Sequence, residues 1–93
     1  MMIISFRCGD THTLFTTGAS RKWAAILSVA QRKLTLLDQA TALQDLRSPP
    51  GNRLEALQGN RQGQYSIRIN DQYRICFTWD AQGPENVEIV DYH

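Results

Sequence analysis

Export signals, membrane-length apolar runs and a disulfide framework are all missing from this chain, and each absence removes a class of protein. The opening stretch Met1 to Phe6 meets Arg7 and Asp10 before it reaches the length of a signal peptide's apolar core. No run approaches the roughly 20 apolar residues that cross a bilayer, so a cytoplasmic protein without membrane contact is expected. Cys8 and Cys76 are the only cysteines, and two lone cysteines read as free or buried thiols of a reducing compartment. Cys8 and His12 make one Cys-x3-His spacing with no second half-site, so no metal and no other cofactor is expected. With three prolines and six glycines in 93 residues there is neither a low-complexity tract nor a repeat of solenoid period. Neither serine nor cysteine shows a nucleophile motif, and Gly59 and Gly63 do not have the spacing of a phosphate-binding loop.

Large net charge is also lacking. A balance of +1 argues against nucleic-acid binding by bulk electrostatics alone. Residues 1–50 carry six basic and three acidic groups, whereas 51–93 carry four basic and six acidic. Because Asp80, Glu85, Glu88 and Asp91 come late, the surface before Asp80 is mildly basic.

What is present is enough for one domain, residues 1–93, with a single core. Ile3, Ile4 and Phe6 predict a first strand over 2–7, and Asp10 or Thr11 can cap a short helix that stops at Gly18. After Ser20, Trp23, Leu27, Ala30, Leu34 and Leu37 recur in steps of four and three, one apolar helical stripe with Arg21, Lys22, Arg32 and Lys33 around it as a solvated face. Asp38 to Leu46 reads as a helix end and a short extra turn, and Ser48-Pro49-Pro50-Gly51 breaks the helix. Arg53 to Leu57 reads as a second strand, and the glycines at 59 and 63 suit a tight connection needing positive φ. Asp80 to Pro84 makes another turn, and Asn86 to Val90 supplies the last strand. The expected fold is α+β, an N-terminal strand and two helices packed on one face of a mostly antiparallel sheet, the other face open.

The best-defined stretch is Gly63 to Phe77. Tyr65, Ile67 and Ile69 share a face in one strand, as do Tyr73, Ile75, Phe77 and Trp79 in the next, and both sets reach one core only if Ile69 lies opposite Tyr73. That register sets Ile67 against Ile75, Tyr65 against Phe77 and, on the wet face, Arg68 against Arg74. Two arginines directly across a ladder repel by a few tenths of a kcal/mol, on the order of 0.2–1. Either both fan out into water or are neutralised by Asp71 or Glu88, or the face is an anion site, since a guanidinium fork matches phosphate. On a wet face, Arg74→Ala is expected to abolish activity without unfolding the domain.

At the chain end, Asp91-Tyr92-His93 packs a carboxylate, a phenol and an imidazole into three residues. A terminal tripeptide is often frayed, yet these are the groups of proton transfer. Beside the arginine-bearing hairpin they suit RNA cleavage by an attacking 2′-hydroxyl: a base takes its proton, arginines stabilise the developing charge and an acid protonates the leaving oxygen. Glu55 can share the base role or be a surface carboxylate paired with Arg53 or Arg74.

The run Pro50-Gly51-Asn52-Arg53-Leu54-Glu55-Ala56-Leu57, through Gly59-Asn60-Arg61-Gln62-Gly63-Gln64-Tyr65-Ser66-Ile67-Arg68-Ile69 to Tyr73-Arg74-Ile75, closing on Asp91-Tyr92-His93, resembles the HigB toxins of the RelE/ParE superfamily. Ile4-Ser5-Phe6 and Leu36-Leu37-Asp38-Gln39-Ala40 fit as well. The resemblance implies a ribosome-dependent endoribonuclease that cuts mRNA on the 70S ribosome without metal. It also implies restraint by a HigA-like helix-turn-helix antitoxin, with operator DNA contacted only through that partner. Arg74 matches the family's phosphate-stabilising arginine, and Asp91, Tyr92 and His93 match its catalytic triplet. Arg68, Arg61 and Arg53 are further candidates for RNA phosphate. Where many members have Leu-His-Pro-Leu-Lys-Gly-Asp-Arg, this chain has Leu54-Glu55-Ala56-Leu57-Gln58-Gly59-Asn60-Arg61, so Glu55 stands where a histidine is often found and Gln58 where a lysine is common. The base is then Glu55 or Asp91, the acid His93, and Tyr92 orients the substrate. The alternative is a non-nucleolytic toxin or interaction module that inhibits a protein target such as DNA gyrase, or a small adaptor whose open sheet binds a partner protein.

Overall fold

A computed structural model describes residues 2–91. Its apolar alternation builds a four-stranded antiparallel sheet in sequence order, with β1 at Glu55–Ala56, β2 at Tyr65–Arg68, β3 at Tyr73–Asp80 and β4 at Gly83–Asp91. The central register is the expected one: Tyr65 faces Phe77, Ile67 faces Ile75 and Arg68 faces Arg74, and the Ile69 amide donates to the Tyr73 carbonyl at 3.0 Å. Ile67, Ile75 and Phe77 are fully buried in one cluster with Leu14, Leu34, Leu37, Val87 and Ile89. At about 1.5–3 kcal/mol for each large apolar side chain taken from water, this face is the main source of stability.

Two helices cover that face, α1 at Gly9–Thr17 and α2 at Leu27–Gln39. α1 ends as expected at Gly18, whose amide bonds the Leu14 carbonyl, but it starts earlier, with Cys8 at the cap position and no side-chain cap. Asp10 instead sits in the first turn, where a carboxylate complements the helix dipole. Thr11 turns inward, fully buried, and its Oγ1 accepts the Ile89 amide at 3.1 Å, so it tethers β4 rather than capping the helix.

The apolar stripe predicted for the long helix holds, yet α2 begins only at Leu27. Ser20 Oγ accepts the Trp23 amide at 3.0 Å, and Trp23 then leaves helical geometry and buries its ring to 4% exposure before a 3₁₀ turn at Ala24–Ile26. Burying the indole outweighs continuing the helix through it.

The N-terminal segment forms a single parallel bridge, Phe6 with Val87, in place of a full strand over 2–7. Its backbone still pairs with β4 through Ile4 to Pro84, Arg7 to Val87 and Val87 to Ser5 bonds, and so covers that sheet edge. β4 is longer than expected because the chain turns over Ala81 and Gln82 alone, Asp80 pairing directly with Gly83. Between Cys76 and Thr78 the ladder slips, and Asn86 on the opposing strand takes φ +55 to absorb the extra residue. β1 is only two residues long, and the connection from it to β2 uses positive φ at Gly59 (+65°) and Gly63 (+93°) as anticipated.

Candidate active site

Strand parity places Glu55, Ser66, Arg68, Arg74, Cys76, Glu88 and Val90 on the face away from the apolar cluster. The sequence led us to expect this face to be open, and its centre is not. Ser66 and Cys76 have no exposed surface and Arg74 only 8%. The Arg74 guanidinium bonds across the sheet and to the Arg53 carbonyl instead of reaching into water. Its Nε donates to Ser66 Oγ at 2.7 Å, and its Nη2 donates to the Arg53 carbonyl at 2.6 Å with Glu55 Oε2 at 3.8 Å. Arg74 is therefore part of a packed polar layer, and removing it costs stability as well as charge.

The two opposed arginines are kept apart by separate partners. Arg68 pairs with Asp71 in the β2–β3 turn, and Arg74 turns toward Ser66, Arg53 and Glu55. Glu88, the other candidate neutraliser, serves Arg61 at 3.2 Å and Arg7 at 3.8 Å. Cys76 lies within the field of Arg61, Glu88 and Arg74, and burial pushes its thiol above the ordinary value near 9.0. It faces this second layer and is inert to solvent.

Glu55 is exposed and sits at the rim, the carboxylate side of the Arg74 pair. Arg53 is also exposed, but its clear contribution is the backbone carbonyl that receives Arg74. Arg61 is tied to Gln64 and Glu88 at 3.1 and 3.2 Å. Asp91 has the opposite parity from Arg74: it lies opposite Tyr73, next along the ladder from the Arg74–Val90 pair, and its Oδ2 accepts from Gln72 Nε2 at 3.1 Å. Tyr92 and His93 lie outside the described residues. The site thus joins Arg74, Glu55, Ser66 and the Arg53 carbonyl, with Arg68 beside them and Asp91 at the adjoining strand end.

Three further residues here escaped the sequence reading. Ser66, fully buried, is the acceptor of Arg74 Nε. Asn52 is fully buried and bonds the Leu46 and Ser48 carbonyls at 3.1 and 3.2 Å. Lys33, expected on a solvated basic face, is 6% exposed and donates to Asn52 Oδ1; burial, then the Arg32 and Arg68 charges, hold its pKa below the usual lysine range. The signal was available, since Lys33 stands three residues after Ala30 and four before Leu37, on the buried stripe. Among the described residues every buried side-chain nitrogen and oxygen has a partner.

Residues 5–93 match the family described as the RelE-like toxin of the type II toxin-antitoxin system HigB. The chain belongs to that family. A 48-residue segment, 52% of the chain, is 60% identical to Toxin HigB-1 of Vibrio cholerae and spans 50% of that protein's length. An uncharacterized protein of Haemophilus influenzae is 33% identical over 82 residues, 88% of this chain and 74% of its own. Membership in the HigB family agrees with the α+β fold. Among the described residues no three His, Cys, Asp or Glu side chains are placed to hold a metal ion, and no helix is long and apolar enough to cross a membrane.

Proposed function

We propose that this domain is a metal-independent, ribosome-dependent endoribonuclease that cleaves mRNA during translation on the 70S ribosome. A HigA-like helix-turn-helix antitoxin neutralises it in the cytoplasm, and operator DNA is met only through that antitoxin. The observation that carries this reading is the Arg74 guanidinium, pinned by Ser66 and the Arg53 carbonyl with an exposed Glu55 carboxylate 3.8 Å away. A cation whose orientation is fixed before the substrate arrives stabilises developing charge without reorganisation.

The chemistry needs only groups this chain carries. Glu55 takes the proton from a ribose 2′-hydroxyl, whose oxygen attacks the adjacent phosphorus. Arg74 and Arg68 stabilise the charge on the non-bridging oxygens. His93 returns a proton to the departing 5′-oxygen, leaving a 2′,3′-cyclic phosphate and a 5′-hydroxyl, while Tyr92 orients the substrate. Glu55 is preferred over Asp91 as base because it shares the face and an ion pair with Arg74, whereas Asp91 holds Gln72 from the opposite parity. Arg61 and the Arg53 side chain extend the RNA phosphate contact outward along the rim.

The test is mRNA cleavage in a reconstituted translation system, with and without ribosomes, comparing the wild type with His93→Ala and Glu55→Ala. Ribosome-dependent cuts that weaken by about 10²-fold or more in each variant are expected for groups acting in general acid and base roles. Intact mRNA beside arrested growth would move the target to a protein.

A further inference from the structure

The carbonyl that receives Arg74 belongs to a residue in an unusual conformation. Arg53 has φ +46° and ψ +58°, a left-handed geometry that a non-glycine residue adopts only when its surroundings hold it there. Its amide bonds the Pro50 carbonyl at 3.2 Å, and the residue that precedes it is itself held by three side-chain bonds. Asn52 spends both amide hydrogens on the Leu46 and Ser48 carbonyls, and its Oδ1 receives Lys33 Nζ from the middle of α2. This set of partners fixes the amide's orientation, because a flipped amide would present NH₂ to an ammonium and oxygen to two carbonyls.

Lys33 is a costly way to secure that orientation. A nearly buried ammonium bonded to a neutral amide, with no carboxylate in a salt bridge to it among the described residues, carries a desolvation penalty that an apolar residue of the same length avoids. Functional sites are among the places where such a local penalty is kept and offset elsewhere.

We infer that Lys33 and Asn52 are positioning residues for Arg74. Lys33 orients the Asn52 amide, Asn52 locks the 48–53 segment, and the Arg53 carbonyl at its end sets the angle of the Arg74 guanidinium against Ser66. The inference rests on the reading of Arg74 as the phosphate-binding group, and its tests separate the two.

The first test is a double-mutant cycle in single-turnover cleavage of ribosome-bound mRNA, using Lys33→Met, Asn52→Ala, Arg74→Ala and the two doubles with Arg74→Ala. Each positioning variant is expected to lower the rate at saturating toxin by about 10- to 100-fold, as misplacement by an ångström does, with half-saturation unchanged within about twofold. In the Arg74→Ala background neither is expected to lower it further. Full multiplicative losses in that background, or a loss that tracks only the folded fraction, overturn the inference.

The second test needs no ribosome and stands even if the domain cuts no RNA. Nitrogen-15 NMR of the arginine side chains, with Arg74 assigned by its disappearance in Arg74→Lys, is expected to show slow guanidinium rotation in the wild type and fast rotation in Lys33→Met, compared at a temperature where both are fully folded. An unchanged Arg74 signal in a folded Lys33→Met or Asn52→Ala protein overturns the inference. Failure of both variants to fold also overturns it, in favour of a purely structural pair.

Discussion

The two faces of the sheet are both buried at their centres, by different physics. On the helix side Ile67, Ile75, Phe77 and Ile89 exclude water by apolar contact with α1 and α2, an attraction without direction that scales with area. On the other side Ser66, Arg74 and Cys76 are as thoroughly buried, yet the layer is held by directed bonds among Arg74, Ser66, the Arg53 carbonyl and Glu55, with Asn52 and Lys33 behind. The first face tolerates approximation and supplies stability. The second tolerates little and supplies a fixed cation.

The comparison breaks most visibly at Ile75. With no exposed surface in the middle of β3, Ile75→Ala is expected to cost about 2–5 kcal/mol, the range for a buried large-to-small change, measured by denaturant unfolding. Cleavage by the fraction that remains folded should be little changed. A wild-type midpoint would mean the apolar face is not the main support.

Ser66→Ala tests the directed face. Removing the hydroxyl leaves the buried Arg74 Nε without its acceptor, at a cost of about 1–3 kcal/mol. Cleavage is expected to fall by more than the folded fraction does, the reverse of the Ile75 pattern. Equal losses in stability and activity would erase the distinction drawn between the faces.

How much of this was legible in the sequence follows the same division. Alternation at Tyr65, Ile67, Tyr73, Ile75 and Phe77 gave the register correctly, because period-two burial leaves one solution once the apolar sets must meet. Gly18, Gly59 and Gly63 gave their turns through positive φ. The polar layer was misjudged as wet, since its partners come from distant segments: Ser66 is eight residues from Arg74, the Arg53 carbonyl 21, and Lys33 lies 19 from Asn52. A carbonyl's contribution leaves no mark in side-chain pattern at all. Asp91 was grouped with Arg74 by proximity in the fold, and parity puts the two on opposite sides of the ladder.

A smaller effect sharpens the comparison through Cys76. Its raised pKa means the folded state keeps the thiol protonated where the unfolded chain would ionise. This contribution is fully present below about pH 9 and is lost as pH rises through the folded value. Wild type should therefore lose stability on the alkaline side faster than Cys76→Ala. In thiol labelling of the native protein at neutral pH, the half-buried Cys8 should react while Cys76 waits for unfolding. Prompt labelling of Cys76 would mean the polar face opens readily.

The most direct measurement is the single-turnover cleavage rate of Arg74→Ala on ribosome-bound mRNA, taken beside its thermal melt. The account predicts a protein that still melts cooperatively, less stable by about 1–3 kcal/mol for the lost buried bonds, and slower than wild type by about 10²-fold or more for the lost fixed cation. A folded Arg74→Ala that cuts at the wild-type rate would contradict it, because the polar layer would then be a second core and nothing more.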